Sequence, residues 1–244
     1  MRKGCLSRFG LVLQLCVTAV ISMPQPISAG EVGPKAEFLL KARFRNAGMG
    51  YPPERLQLIA LKASKRLELW VWADRSWRHI HDYPIFAASG HAGPKLREGD
   101  KQVPEGFYRV TALNPNSRFH LSLKLDYPNP FDWQHAVEEG RKSPGSNIFI
   151  HGSAWSVGCL AIGNRNVEEL YALVSAVGPE QVQVMIVPYD FRIRDYSITE
   201  DDPPWLERLY GYLNLRLRQF PLAAKMRGCS VECLMHQARQ KTRP

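Results

Sequence analysis

The chain has 244 residues, 45% of them hydrophobic and 10% aromatic, enough to build one ordinary core and too apolar for an intrinsically disordered protein. Its formal net charge is +9, and Lys225, Arg227, Arg239, Lys241 and Arg243, against Glu232 alone, concentrate part of that charge in the last residues. A basic balance points to an anionic polymer or a membrane surface, reached here through the basic tail.

Arg2, Lys3 and Arg8 precede a mostly apolar run from Phe9 to Ile21, and Ile27-Ser28-Ala29 offers a small-residue cleavage site before Gly30. This is the layout of a secretory signal, and the apolar run is short for a membrane span, which needs roughly 20 residues. Residues 1–29 are therefore expected to direct export to the periplasm or cell envelope, which argues against nucleic acid as a partner. Cys5 and Cys16 leave with the signal. Cys159, Cys229 and Cys233 remain, an odd number, and whether Cys229 and Cys233 pair stays open.

Residues 34–45 read as a short helix with Phe38, Leu39, Ala42 and Arg45 along its amphipathic face, ended by Gly48, Gly50, Pro52 and Pro53. Residues 56–61 and 67–72 alternate as half-buried strands do, with a turn between them. Residues 77–81 and 85–88 read as two further strands. Residues 90–105, rich in glycine, proline and charge, read as a loop. Strands follow at 106–111 and 119–125. Residues 127–146 form a long insertion with a short helix near 135–139. Residues 147–150 are again strand-like. Asn166 and Glu169 resemble a capping box ahead of a helix carrying Val167, Leu170, Tyr171, Val174 and Val177, stopped by Gly178-Pro179. Residues 182–187 form a last strand. Trp205, Leu206, Leu209, Leu213 and Leu217 mark an amphipathic helix, with a second after Pro221. The fold class is mainly β with flanking helices, α+β. Its expected divisions are a helical segment at 30–54, a catalytic domain at 55–190 and a helical basic extension at 191–244.

The stretch His151-Gly152-Ser153-Ala154-Trp155-Ser156-Val157-Gly158-Cys159 proposes a chemistry. Strand alternation puts Asn147, Phe149 and His151 on one face, with the histidine at a strand end. The chain returns within eight residues to Cys159, and Gly158 permits a tight backbone there. A thiol is a weak nucleophile at its ordinary pKa of about 8.5, and an imidazolium beside it is expected to lower that value. Backbone N–H groups around Gly158 and Cys159 are expected to face an oxyanion.

His151-Gly152 followed by Ser156-x-Gly158-Cys159 resembles the active-site motif of the L,D-transpeptidase (YkuD-like) family. Gly99-Asp100 leading to Val103-Pro104-Glu105-Gly106-Phe107-Tyr108 is similar to a stretch that the family carries ahead of its catalytic strand, and the resemblance spans roughly residues 55–188. It implies a β-sandwich-like catalytic domain that needs no cofactor or metal. It further implies that Cys159 forms a thioester with a diaminopimelate-containing peptidoglycan stem peptide and that His151 takes the thiol proton. Gly152 or Ser153 would orient the imidazole through a carbonyl. Two positions depart from the common pattern: Val157 replaces a histidine, and Ala161 replaces an arginine. The pattern is closer to a subgroup that includes an amidase releasing a peptidoglycan-linked lipoprotein. Lys95 and Arg97 are expected to replace the lost charge, and Tyr108 to line the substrate site. The rival readings are a catalytically silent peptidoglycan-binding module, a thiol protease, and a metal site drawn from His79 and His81 or from Cys229, Cys233 and His236.

Overall fold

Along β1 (Leu56–Leu61) every residue is buried. Leu56, Leu58 and Ala60 enter one core, while Ile59 and Leu61 enter a second on the opposite face. The computed structural model describes residues 33–222; the signal, the helix expected after Pro221, Cys229, Cys233 and the basic tail lie outside them. The half-buried strand expected at 56–61 is thus buried on both faces, because helix α4 (Leu206–Leu217) covers the side that would have met water.

β1 joins β2 (Arg66–Ala73), β3 (Ser76–Pro84), β4 (Gly106–Ser117), β5 (His120–Leu125), β6 (Phe149–His151), β7 (Leu160–Ala161) and β8 (Val182–Val187) in a mixed sheet. Its order is β3-β2-β1-β8-β4-β5-β6-β7. β8, last in sequence, lies in the middle, parallel to β1 and antiparallel to β4. β4 is the joint of the sheet. Its first residues, Gly106 to Arg109, pair with β8, and the rest pair with β5 through two register shifts. Beyond β3 the chain reaches round to the other end, where Ala87 bridges Ala161 of β7. The strand expected at 85–88 is reduced to this bridge.

α1 (Gly33–Asn46) buries Ala36, Leu40 and Phe44, the i, i+4, i+8 stripe, and leaves Phe38 exposed, so the face expected from Phe38 and Leu39 is not the packed one. α1 is tied to α3 (Asn164–Val177) by Arg43, which donates to the buried Glu169 and to Nδ1 of His81. This corrects the capping box read at Asn166 and Glu169. The helix starts at Asn164 behind Gly163, and Glu169 points inward to meet Arg43. α2 (Pro130–Glu138) begins earlier than the helix expected near 135–139, because Asn129 and Asp132 form a true capping box around Pro130.

The stretch 90–105 has no regular structure but is firmly held. The Lys62 ammonium donates to the carbonyls of Gly93 and Val103 and to Glu105, and Glu105 also accepts from the Tyr210 hydroxyl of α4. The segment after β8 is anchored similarly: Arg192 pairs with Asp190 and Glu68 and donates to the carbonyl of Phe220.

Candidate active site

β6 and β7 run parallel, with His151 opposite Ala161 and Ile150 opposite Leu160. Cys159 immediately precedes β7. It lies two residues before the partner of His151, on the face of His151 if the alternation of β7 is carried back through the bend at 157–159. The turn between them is clamped at its base. Ile162 N–H donates to the His151 carbonyl, and Gly163 N–H donates to the Ser153 carbonyl. Asn164 Oδ1 accepts the Ser153 N–H at 2.7 Å. Gly152 has no room for a side chain: a Cβ there would come within 2.5 Å of the Phe119 carbonyl and 2.7 Å of Asn164 Oδ1.

The imidazole of His151 is buried. Its Nδ1 lies 2.5 Å from the Gly152 carbonyl. A carbonyl only accepts, so Nδ1 carries the hydrogen and Nε2 is left with the lone pair. Phe119, at the tip of the β4–β5 hairpin, stacks on the ring at 4.6 Å between centroids and 28° between planes. The neighbouring His120 anchors that tip to α3 through Glu168. Among the described residues no carboxylate contacts the catalytic-motif histidine. Burial depresses its pKa, only partly offset by the Gly152 carbonyl.

Cys159 is half-buried, and its Sγ donates to the Asn147 carbonyl at 3.7 Å. Burial pushes the thiol up from its ordinary value, against the lowering effects of a Phe149 backbone hydrogen bond and the Lys95 ammonium. Burial thus works against the imidazolium expected beside the thiol, since it disfavours the charged form of both groups.

The backbone donors expected to face an oxyanion are already engaged. Gly158, at φ +91°, donates its N–H to Ser89 Oγ at 2.6 Å. Cys159 donates its N–H to Ser156 Oγ at 2.9 Å, and the same hydroxyl donates to the Cys159 carbonyl at 2.5 Å. Ser156 thus fixes both backbone groups of the cysteine. Ser89 was not recognisable from sequence, because its contact spans 69 residues and carries no local signal. Phe119 and Asn147 were missed as ligands of the pair for the same reason.

Lys95, Arg97 and Tyr108 have different fates. Lys95 is buried, its ammonium donating to the carboxylate of Asp100 and the carbonyl of Arg97. Its charge reaches Cys159 but is already paired. The Arg97 side chain is exposed. Tyr108 is buried, with its hydroxyl within hydrogen-bond distance of the Glu105 carbonyl and of Asp132; alternation along β4 turns Tyr108 inward and Phe107 and Arg109 outward. Ala161 is buried, its N–H donating to the Ala87 carbonyl and its own carbonyl accepting from Phe86. It brings only a methyl to the face it shares with Cys159. The turn itself is open to solvent, with Trp155 80% and Val157 72% exposed.

The proposed histidine pair does not form a metal site. A bulge in the β2–β3 pairing sets His79 opposite Trp70 and His81 opposite Leu69, hence toward opposite faces. His79 bonds Asp82, whereas His81 accepts from Arg43. Among the described residues no group of three or more His, Cys, Asp or Glu side chains could hold a metal ion.

Residues 58–186 match the model of the YkuD family, described as the L,D-transpeptidase catalytic domain. The chain is 31% identical over 188 residues to the Escherichia coli (strain K12) protein named "Putative L,D-transpeptidase YafK", and the match covers 75% of this chain and 72% of that protein. Among solved structures, the helical cell shape determining protein Pgp2 from Campylobacter jejuni aligns with 20% identity and a TM-score of 0.46, covering 77% of this chain and 78% of that one. Its K307A mutant aligns with 22% identity and a TM-score of 0.45, over 74% of this chain and 62% of that one. The family model spans the sheet from β1 to β8 and includes the turn that holds His151 and Cys159, and the chain belongs to the YkuD family of L,D-transpeptidase catalytic domains.

Proposed function

We propose that this protein is an exported cysteine acyltransferase of the cell envelope that acts on diaminopimelate-containing peptidoglycan stem peptides during cell-wall biogenesis or remodelling. The observation that carries the reading is the buried His151, its Nδ1 held by the Gly152 carbonyl and its Nε2 free to accept, on the strand paired with the one that the half-buried Cys159 immediately precedes. Nε2 takes the thiol proton as Sγ attacks the carbonyl of the stem peptide. The tetrahedral oxyanion then needs donors. The Ser89 hydroxyl accepts the Gly158 N–H and keeps its own proton for this task. Collapse expels an amine, which takes the proton back from His151, and leaves a thioester. Arg97, exposed and without a carboxylate partner among the described residues, is the cation available to a substrate carboxylate.

One observation favours a hydrolytic outcome. Ala161 supplies no guanidinium on the cysteine's face to hold the carboxylate of an incoming amino acid, so water is the acceptor with the fewest requirements. On this reading the protein releases a stem-linked partner, such as a peptidoglycan-linked lipoprotein. Purified protein and its Cys159→Ala variant, incubated with tetrapeptide-stem and protein-linked peptidoglycan fragments and analysed by mass spectrometry, separate the readings. Diaminopimelate–diaminopimelate cross-links or exchanged terminal residues identify a transpeptidase. Release of the linked peptide alone identifies the amidase. Binding without any product identifies a silent module and overturns the enzyme reading.

A further inference from the structure

At the outer edge of the sheet, two cross-strand pairs, Trp70 with His79 and Trp72 with Trp77, face the same side as α4. Trp70 is buried in the core under α4, while Trp72 and Trp77 are only half-buried. Phe220, just beyond the helix, packs against Trp70 and Trp77 and leaves a cleft of about 780 Å³ bounded by these rings and by the exposed Arg75 and Arg78. Two more guanidinium groups flank it. Arg55 lies 5.0 Å over the Trp72 ring, and Arg216 lies 5.9 Å over Trp77. The two repel one another: burial and the charge of Arg55 both make the Arg216 cation harder to hold. Among the described residues none of these four arginines forms an ion pair with a carboxylate. The acids closest in sequence, Glu54 and Asp74, are exposed and form no ion pair with them.

Aromatic faces beside uncompensated guanidinium groups suit a ligand that offers both flat apolar ring surfaces and carboxylates. An aliphatic surface would leave Arg75 and Arg78 without partners, and a neutral glycan would use only the tryptophans.

We propose that the cleft is a second docking site for peptidoglycan, taking sugar rings against Trp72 and Trp77 and stem-peptide carboxylates on the four arginines. This rests on the substrate class proposed above. The cleft is remote from the nucleophile. β3 leads away from it, and the residues that touch the nucleophile turn, Phe86 to Ser89, come only after β3 ends. At about 3.3 Å per residue the two sites are roughly 20–30 Å apart. One strand could thus be gripped by its glycan at the cleft while a stem farther along reaches Cys159.

The test is co-sedimentation of the full chain, carrying Cys159→Ala, with insoluble peptidoglycan sacculi. Adding Arg75→Glu with Arg78→Glu, both exposed, should lower the bound fraction about fivefold or more. In the Cys159 background the same pair should leave turnover of a small soluble muropeptide within about twofold. Raising salt from about 50 to about 500 mM should weaken binding of the parent, as expected of carboxylate–guanidinium pairs in water. Undiminished sedimentation of the charge-reversed protein overturns the proposal, as does failure of the parent to sediment. Loss of binding only when Lys225, Arg227, Arg239, Lys241 and Arg243 are changed to glutamine assigns binding to the tail and also overturns it. A dimer that the arginine reversal dissociates, with sacculus binding unaffected, gives the cleft to a second copy and has the same consequence. Cleft-dependent sedimentation with no turnover of muropeptides would leave the docking site standing and remove the acyltransferase reading.

Discussion

Cys159 and His151 occupy surroundings that disfavour charge on either group. Burial raises the thiol and lowers the imidazole, and the sulfur donates to a carbonyl rather than to the ring. The proton should therefore move during attack, not before it. Alkylation of Cys159 by iodoacetamide at neutral pH is expected to be slow, to rise with pH, and to be little changed by His151→Ala. That same substitution should lower turnover by roughly 10²–10⁴-fold, the usual contribution of a general base. Rapid alkylation that is flat below pH 7 and lost in His151→Ala would establish a thiolate–imidazolium pair instead. The Ser89 hydroxyl makes a separate prediction. Ser89→Ala should cost about 10²-fold in kcat with little change in KM, in line with loss of one oxyanion donor, and Ser89→Thr should restore most of it. An alanine variant of full kcat would leave Ser89 no part in the chemistry.

At the scale of elements, the strands were readable because alternation survives wherever one face meets water or a single core. Legibility failed where an element answers to distant partners. β1 looks half-buried until α4 is placed over Ile59 and Leu61. β4 runs on through Pro115 to Ser117, a stretch whose composition reads as a turn; the register shifts against β5 accommodate it. The start of α2 had a local signal, Asn129 before Pro130 with Asp132 at the third position, hidden in a segment that composition marks as loop. At the site, the sequence named the histidine and cysteine but not the hydroxyls that hold the nucleophile's backbone. α4 also carries a stability prediction. Leu213 is fully buried between the helix and the sheet, so Leu213→Ala should cost about 2–5 kcal/mol, read from the shift in urea midpoint. A change under about 1 kcal/mol would mean that the α4 face contributes little to holding the sheet.

For the molecule as a whole, two half-buried groups make stability depend on pH in opposite senses. Burial, with the Arg43 guanidinium next, holds His81 down to about 4. The unfolded chain therefore takes up the proton first, and stability falls as pH drops from about 6.5 toward 4. Burial pushes Asp132 up to about 6. Its protonated form belongs to the folded state, and stability falls as pH rises from about 4 through 6. Over the shared range the two slopes oppose. Asp132→Asn should steepen the loss of stability on acidification, while His81→Gln should flatten or reverse it, as followed by urea midpoints across that range. Parallel pH curves for both variants and the parent would show that neither group carries the linkage.

The central place of β8 has a consequence in time. β1 and β4 have no common neighbour until residues 182–187 arrive, so the middle of the sheet closes only after most of the chain is already made. Pairings this distant in sequence form slowly. A chain emerging from its amino end therefore carries the turn of His151 and Cys159 on an unclosed sheet until nearly the whole domain is available. The strand made last is the one that locks the sheet at its centre.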